Sequence, residues 1–145
     1  MILIDVNLLI HSENSRANEH AIAKVWWESI LASETPVGLP WLTILGFIRL
    51  TTNAKVMLHP LPMNDALLRM DKWLGRSHIR IVHPGPSHWK NYQQLISRLN
   101  LKGNSLSDAH LAAMAIENDC ELYSADEGFQ KYPGLRWVNP ISTSK

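Results

Sequence analysis

Residues 2–6 of this 145-residue chain are almost wholly apolar, with one acid inside the run. The order Ile2, Leu3, Ile4, Asp5, Val6 is typical of a strand buried on both faces, as strands in parallel sheets are. A carboxylate in such surroundings costs free energy unless a partner compensates for its lost hydration. The run therefore indicates a central strand that carries a functional acid near its end.

Segments of helical periodicity alternate with further short apolar runs. We predict strands at residues 79–82, 120–123 and 136–138, and interpret residues 36–40 as a brief extended link. Helices are predicted from residue 7, after the N-cap Asn18, from Pro40 to about residue 50, and over 63–74, 87–100 and 108–118, the last capped by Ser105 or Ser107. Strands that alternate with helices form a mainly parallel sheet covered on both faces. The sequence thus predicts one α/β domain spanning residues 1–145.

Composition excludes several other classes of protein. Apolar residues make up 46% of the chain and charged residues 19%, which is neither disordered nor collagen-like. The single Cys120 excludes a disulfide framework within the chain and a cysteine-based zinc site. No apolar run approaches the roughly 20 residues that a membrane span needs, and the start lacks the pattern of a signal peptide. We expect a soluble, cytoplasmic protein with no membrane partner.

The net charge of +1 conceals an uneven distribution. Residues 51–105 hold eight basic and two acidic side chains, whereas the segments before and after them are net acidic. This pattern fits a carboxylate site beside a cationic surface, which suits a polyanionic substrate. The alternative is that these charges lie on the solvated faces of amphipathic helices, and charge alone favours that interpretation.

Three aspartates stand where a parallel sheet opens to its ligands. Asp5 lies near the end of the first strand, Asp126 follows the strand that ends at Tyr123, and Asp108 lies in the first turn of a helix. Asp108 alone could complement the helix dipole, and Asp126 alone could form a turn. Together, carboxylates that converge repel one another unless they are protonated or bind a cation. Oxygen ligands without His or Cys favour Mg²⁺ or Mn²⁺ over zinc.

Three motifs in a fixed order carry a family resemblance. They are Ile-Leu-Ile-Asp-Val-Asn at residues 2–7, Gly-Asn-Ser-Leu-Ser-Asp-Ala-His-Leu-Ala-Ala at 103–113, and Leu-Tyr-Ser-Ala-Asp-Glu-Gly-Phe at 122–129. With these motifs the chain resembles the PIN domain, and more narrowly VapC, the ribonuclease toxin of bacterial VapBC toxin–antitoxin modules. Residues 39–53 and 133–140 are similar to one VapC subgroup, so the resemblance extends from residue 2 to about residue 140.

The resemblance implies a PIN-like domain of three α/β/α layers, with a mainly parallel sheet of about five strands flanked by helices. It implies that Asp5, Asp108 and Asp126 are the catalytic, metal-binding acids, with Mg²⁺ as cofactor and Mn²⁺ as a possible substitute. Polar residues at matching positions would orient carboxylates or water: Asn7, Asn104 and Ser124. The implied activity is hydrolysis of RNA phosphodiester bonds by metal-activated water. The implied partners are RNA, a cognate VapB antitoxin and a second copy of the chain.

Two glycines depart from the family pattern. Gly46 stands where the family usually has a glutamate, and Gly128 stands where a second acid often follows the last aspartate. A three-acid site makes one Mg²⁺ the more economical expectation. Arg49, one turn after Gly46, is a candidate phosphate contact, and an ordinary surface arginine fits its position equally. The alternatives are a catalytically impaired PIN-like module that binds RNA or protein, and a small phosphohydrolase on a similar sheet.

Six tryptophans and seven histidines are many for this length. Apolar patterns predict that most of the tryptophans are core residues: Trp26, Trp41, Trp73 and Trp137. Trp27 and Trp89 are predicted to be exposed, where they could pack against a partner or a base. We expect the histidines to be structural, because their spacing offers no shared ligand face.

Overall fold

Five parallel strands form the centre of the computed structural model, which describes residues 1–142. The strands are β1 (Ile2–Ile4), β2 (Val37–Pro40), β3 (Ile79–Val82), β4 (Glu121–Tyr123) and β5 (Arg136–Val138). The helices are α1 (Val6–Glu13), α2 (His20–Ala32), α3 (Trp41–Thr51), α4 (Met63–Leu74), α5 (His88–Leu99) and α6 (Ser105–Glu117). A 3-10 helix, Glu127–Lys131, joins β4 to β5.

The strand order is β3-β2-β1-β4-β5, with β1 at the centre and every pairing parallel. The chain builds the sheet outward from β1 on one side and then returns to add β4 and β5 on the other. This reversal of order lies between β1 and β4, and it leaves a crevice at their carboxyl ends. The prediction of a mainly parallel sheet is confirmed, and the fold places the end of β1 at that crevice.

Helices cover both faces of the sheet, so the three predicted layers are confirmed. One apolar cluster joins α1, α2, α3 and α4 to the sheet and includes Leu8, Phe47 and Trp73. The second cluster joins α5 and α6 to the opposite face and includes Leu95 and Met114. Within residues 1–142, none of the helices combines the length and the apolar character that crossing a bilayer requires.

The interpretation of residues 36–40 as a link is wrong, because Val37–Pro40 is strand β2 and pairs with both β1 and β3. Proline and glycine weaken the strand signal in the sequence. Here Gly38 is required by packing, since a Cβ atom at this position would lie 2.4 Å from Val82 Cγ2 and 2.6 Å from Leu3 Cδ2. Pairing with the two neighbouring strands therefore makes this segment a strand.

Several predicted helix starts differ by one or more residues. Glu19, rather than Asn18, precedes α2, and Pro40 ends β2 instead of beginning α3. Asn104 occupies the cap position of α6, so this helix starts at Ser105 and still carries Asp108 in its first turn.

Two tryptophan predictions are wrong. Trp27 is 3% exposed and Trp41 is 45% exposed, the reverse of what their apolar patterns predicted. Trp27 packs edge-on against Trp73, whereas the Trp41 indole N–H donates to His83 Nδ1 at 3.2 Å. The exposure of Trp89, at 66%, is confirmed.

Candidate active site

Asp5 stands at the carboxyl end of β1, at the centre of the sheet. Its backbone N–H donates to the Tyr123 carbonyl at 2.9 Å, which fixes the end of β1 beside the end of β4. The side chain is only 8% exposed, and its Oδ2 accepts a 2.7 Å hydrogen bond from the Ser124 hydroxyl. Both backbone and side chain therefore hold this carboxylate in place.

The Ser124 hydroxyl uses its full hydrogen-bonding capacity. It donates to Asp5, and its oxygen accepts from Asn7 Nδ2 at 3.2 Å and from the Asp126 backbone N–H at 3.0 Å. A hydroxyl has one donor and two acceptor positions, so no capacity is left over. Asn7 completes the connection, because its Oδ1 accepts from the Ala125 N–H at 3.2 Å. The structure thus brings Asn7 and Ser124 together with Asp5, as their candidate role requires.

Electrostatics couples the three acids. Burial, together with the charges of Asp108 and Asp126, raises the pKa of Asp5 to about 6, against the lowering effect of the Ser124 hydrogen bond. Burial also raises the pKa of Asp108, with the charge of Asp126 acting in the same direction. A like charge raises the pKa of a carboxyl group in this way when it lies close by. The three aspartates consequently share one electrostatic environment at the crevice.

Asp126 is held by its own turn. It is exposed, caps the 3-10 helix, and accepts from the Gly128 N–H at 2.8 Å through Oδ1. A Cβ atom on residue 128 would lie 3.1 Å from the same oxygen, so a side chain there would crowd the carboxylate. Position 128 therefore contributes a backbone N–H to Asp126 instead of a second carboxylate.

Two residues near the acids carried no signal in the sequence analysis. Lys131 is close enough to Asp108 for its positive charge to lower the pKa of that carboxyl. Burial and the charges of Asp108 and Asp126 raise the pKa of Tyr132 to about 12, and its hydroxyl donates to the Ser105 carbonyl at 3.3 Å. The only hint in the sequence is that Lys131 is one of few cations in the acidic last third of the chain.

Comparison with known proteins identifies the family of this chain. The PIN domain family matches residues 2–135. Ribonuclease VapC43 of Mycobacterium tuberculosis is 37% identical over 141 residues, which cover 97% of this chain and 96% of that protein. The chain belongs to the VapC family of PIN domains.

Solved VapC structures share the fold. The chain matches a structure of VapBC2 from Rickettsia felis, bound to a DNA fragment from its promoter, with a TM-score of 0.69 at 16% identity over 96% of this chain and 98% of that one. It matches VapC20 of Mycobacterium tuberculosis, described as a Sarcin-Ricin loop cleaving toxin, with a TM-score of 0.65 at 15% identity over 94% and 99%. At these identities the likeness concerns the fold alone.

Gly46, the departure from the VapC pattern, lies against the residue that follows Asp5. A Cβ atom at position 46 would lie 3.3 Å from Val6 Cγ2, a tight contact that a side chain could relieve only if Val6 moved by a few tenths of an ångström. The position is buried in α3, next to the end of β1. The glycine and Val6 therefore form a matched pair, with no acidic group at this side of the VapC site.

Two other candidates do not join the acids. Asn104 is exposed, and its side chain makes no capping hydrogen bond to α6. Arg49 is exposed in the last turn of α3. Within residues 1–142, neither side chain forms a hydrogen bond or an ion pair with the three aspartates. Lys131, not Arg49, is the cation that acts on Asp108.

The donor set suits a hard divalent cation. It consists of carboxylates, with a hydroxyl and an amide behind them, and oxygen donors of this kind favour Mg²⁺ or Mn²⁺. The raised pKa values of Asp5 and Asp108 record burial and repulsion, both of which a cation would offset. In the described part of the chain, no three His, Cys, Asp or Glu side chains are close enough to hold an ion as they stand. The type of donor atom therefore fits Mg²⁺ or Mn²⁺, whereas the distances between the described side chains do not form a ready coordination shell.

Proposed function

We propose that this chain is the toxin of a type II toxin–antitoxin module, a Mg²⁺-dependent endoribonuclease that acts in the cytoplasm. One observation carries the proposal: at the sheet crevice the charges of Asp108 and Asp126 raise the pKa of the buried Asp5, and the charge of Asp126 raises that of Asp108. Family membership supports it, because the curated relatives are named as ribonucleases. The donor chemistry supports Mg²⁺, with Mn²⁺ as a substitute.

Asp5, Asp108 and Asp126 are the residues that would hold the cation. When bound there, a divalent ion supplies a polarised phosphoryl oxygen and a water of lowered pKa. Ser124 fixes the Asp5 carboxylate by its 2.7 Å hydrogen bond, and Asn7 fixes Ser124. Lys131 offers a positive charge beside Asp108, where it would attract the phosphate backbone.

We also propose a VapB-type antitoxin and a second copy of this chain as partners. The solved structures with this fold include VapBC complexes. Large apolar side chains stand exposed on three helices: Ile22 and Val25 on α2, Leu45 on α3, and Met63, Leu67 and Leu68 on α4. Exposed apolar groups in such number support protein partners. Co-purification with the product of a neighbouring small gene, and light scattering of the isolated chain, test the two partners.

The test of function is cleavage of total RNA by the purified protein, free of antitoxin, in Mg²⁺, Mn²⁺ or EDTA. We expect cuts that need the metal and that Asp108→Asn removes. Asp71→Asn, which neutralises an exposed acid on α4, is the matched control and should cut like the wild type. A wild type that is folded by circular dichroism and cuts nothing in either metal would refute the proposal.

A binding module that has lost catalysis is the second candidate. Gly46 beside Val6 favours it, because residue 46 contributes no acid to the site. Such a module would bind RNA equally in EDTA and in Mg²⁺, and would cut none. Metal-dependent cleavage abolished by Asp108→Asn would exclude it.

A further inference from the structure

Three exposed cations lie on segments that meet at the start of α6. Arg98 is in the last turn of α5, Lys102 is in the link from α5 to α6, and Lys131 ends the 3-10 helix. None of them forms a hydrogen bond or an ion pair with another residue in the described part of the chain. The sequence also contains no acid between Asp71 and Asp108. These three residues form a cation cluster whose charge the protein itself leaves without a direct partner.

Lys131 is attached to the first turn of α6, which carries Asp108. The hydroxyl of Tyr132 donates to the Ser105 carbonyl at 3.3 Å, so the 3-10 turn packs against the start of this helix. Asp108 follows Ser105 by three residues, and residues at this spacing lie on the same side of a helix. The Lys131 amine is 5.6 Å from the centre of the Tyr132 ring. These contacts place Lys131 beside the turn of α6 that presents Asp108.

Arg98 approaches the same surface from α5. It lines a cavity of about 130 Å³ together with Pro133, the residue that follows Tyr132. Arg98 therefore lies on the side of α5 that faces the end of the 3-10 turn. The two cations Arg98 and Lys131 thus stand near each other although they are far apart in the sequence.

Lys102 lies in a short link of fixed shape. Backbone hydrogen bonds hold this link on both sides of Lys102, from the Leu101 N–H to the Ile96 carbonyl at 3.1 Å and from the Leu106 N–H to the Gly103 carbonyl at 3.1 Å. Lys102 is three residues before the first residue of α6, a span of at most about 11 Å. Its ammonium group can therefore approach a phosphate next to one held at Asp108.

The cation cluster stands apart from the apolar surface of the molecule. Large exposed apolar side chains occur on α2, α3 and α4, at Leu58 and at Trp89. Residues 98–104 and 126–136 expose none. A protein partner would find little apolar surface to bury there. A nucleic acid strand, by contrast, is bound by cations that neutralise its phosphates and release its counterions. The composition of this surface therefore favours RNA as its ligand.

We propose that Arg98, Lys102 and Lys131 bind the RNA phosphates next to the one held at the aspartates. The proposal rests on the proposed ribonuclease function, and it names the surface along which the substrate strand leaves the site. Contacts to phosphate position a nucleic acid but carry no sequence information. The cation cluster would thus set the affinity and the path of the RNA, and leave the choice of the cleaved sequence to other residues.

The test measures how RNA affinity depends on salt. Two triple variants remove three positive charges each: Arg98→Gln, Lys102→Gln, Lys131→Gln in the cation cluster, and Lys24→Gln, Lys55→Gln, Lys72→Gln as the matched control. The control lysines are exposed on α2, after α3 and on α4. The probe is a fluorescent single-stranded RNA of about 15 nucleotides, bound in EDTA so that it is not cut. Anisotropy gives the association constant between about 50 and 200 mM KCl.

We expect the cluster variant to lose salt dependence. Each phosphate contact contributes about 0.7 to the slope of log association constant against log salt concentration for a single strand. The slope should therefore become shallower by about 2 in the cluster variant and stay at the wild-type value in the control. Circular dichroism checks that both variants are folded. Equal slopes in the two variants, or a wild-type slope in the cluster variant, would overturn the proposal.

Two further measurements separate this proposal from the others. If the wild type cuts RNA in Mg²⁺ while the cluster variant keeps the wild-type slope, the cation cluster is wrong and the ribonuclease function stands. If the wild type cuts nothing but binds RNA through the cluster, the ribonuclease function is wrong and the cluster remains an RNA-binding surface. If the cluster variant keeps the wild-type slope and loses a co-purifying antitoxin, the surface binds an acidic protein and the proposal is wrong.

Discussion

The acids that follow the neighbouring strands β1 and β4 are held in opposite ways. Asp5 is buried, its backbone is bonded to the end of β4, and its carboxylate accepts from a fully used Ser124 hydroxyl. Asp126 is exposed and bonded to Gly128 within its own turn. The core therefore holds Asp5, which is the fixed or buried corner of the site. Only a local turn holds Asp126, which is the exposed corner.

A charged site needs carboxylates that are held in position and also hydrated, and the two acids meet these two requirements separately. The buried corner sets position accurately but incurs a desolvation cost, which appears as the raised pKa of Asp5. The exposed corner avoids that cost and gives up some rigidity. A cation shared by both corners would offset the cost at Asp5 and order Asp126 at the same time.

The largest expected effect comes from removing the charge at the fixed corner. Asp5→Asn should lower metal-dependent cleavage by more than about 100-fold, because loss of a group that merely orients a metal ligand already costs roughly 10- to 100-fold. Single-turnover cleavage at saturating Mg²⁺ measures it. Asp71→Asn serves again as control, and a variant that retains wild-type cleavage would show that Asp5 is not a ligand.

Asp5 should also make the free energy of unfolding depend on pH. The pKa of Asp5 is about 6 in the folded protein, above the ordinary 3.8, so the folded state binds the proton more tightly than the unfolded state. The free energy of unfolding should then fall by about 2 kcal/mol as the pH rises from about 4 to about 7 in EDTA.

Urea unfolding at several pH values measures this slope. Asp5→Asn should remove most of it, and Asp71→Asn should leave it unchanged. Added Mg²⁺ should recover part of the loss above pH 6 in the wild type. A wild type whose stability is flat across this range would contradict the burial cost assigned to Asp5.

Ser124→Ala should weaken the fixed corner without removing an acid. The change deletes the donor to Asp5 and the acceptor for Asn7 and for the Asp126 N–H. We expect activity to fall by roughly 10- to 100-fold and the pKa of Asp5 to rise further. A pH–rate profile with its acid limb moved towards higher pH separates this effect from simple unfolding. Ser29→Ala, which removes a hydroxyl bonded to the Trp26 carbonyl, is the control.

The smallest effect concerns the cation near the exposed corner. Lys131→Gln removes the charge that lowers the pKa of Asp108, so the acid limb of the pH–rate profile should move towards higher pH. Arg49→Gln removes a cation that the structure leaves apart from the acids, and should leave the limb in place. Equal shifts in the two variants would point to general surface charge instead of a specific contact.

Much of the fold could be predicted because its signals are local. The apolar run with one acid identified β1, and helical periodicity beside Asp108 identified α6. Strand β2 could not be predicted in this way, since only its approach to Leu3 and Val82 explains Gly38. Helix α2 is apolar around most of its surface, so the sequence did not reveal that Ala23 and Trp27 face the core while Val25 faces solvent.

The site residues divide in the same way, into those with a signal in the sequence and those placed by packing. Asp5 and Asp126 follow the ends of β1 and β4, where the order of the strands indicates that they converge. Asn7 and Ser124 were indicated only by the resemblance to the VapC family. Lys131 and Tyr132 reach the acids through the 3-10 turn, whose path depends on packing of Phe129 into the second apolar cluster. Arg49 was selected by its distance from Gly46 along the chain. Helix α3 holds it away from the crevice.

The hydrogen bonds around Ser124 have a direction. The Ala125 N–H donates to Asn7, the Asn7 amide donates to Ser124, and the Ser124 hydroxyl donates to Asp5. Dipoles aligned head to tail polarise one another. This series of hydrogen bonds therefore ends on the Asp5 carboxylate, where it favours negative charge. It also permits only one orientation of the Asn7 amide. Asn7→Asp would keep the size of the side chain but remove the N–H that donates to Ser124. The direction of that one hydrogen bond would then have to reverse.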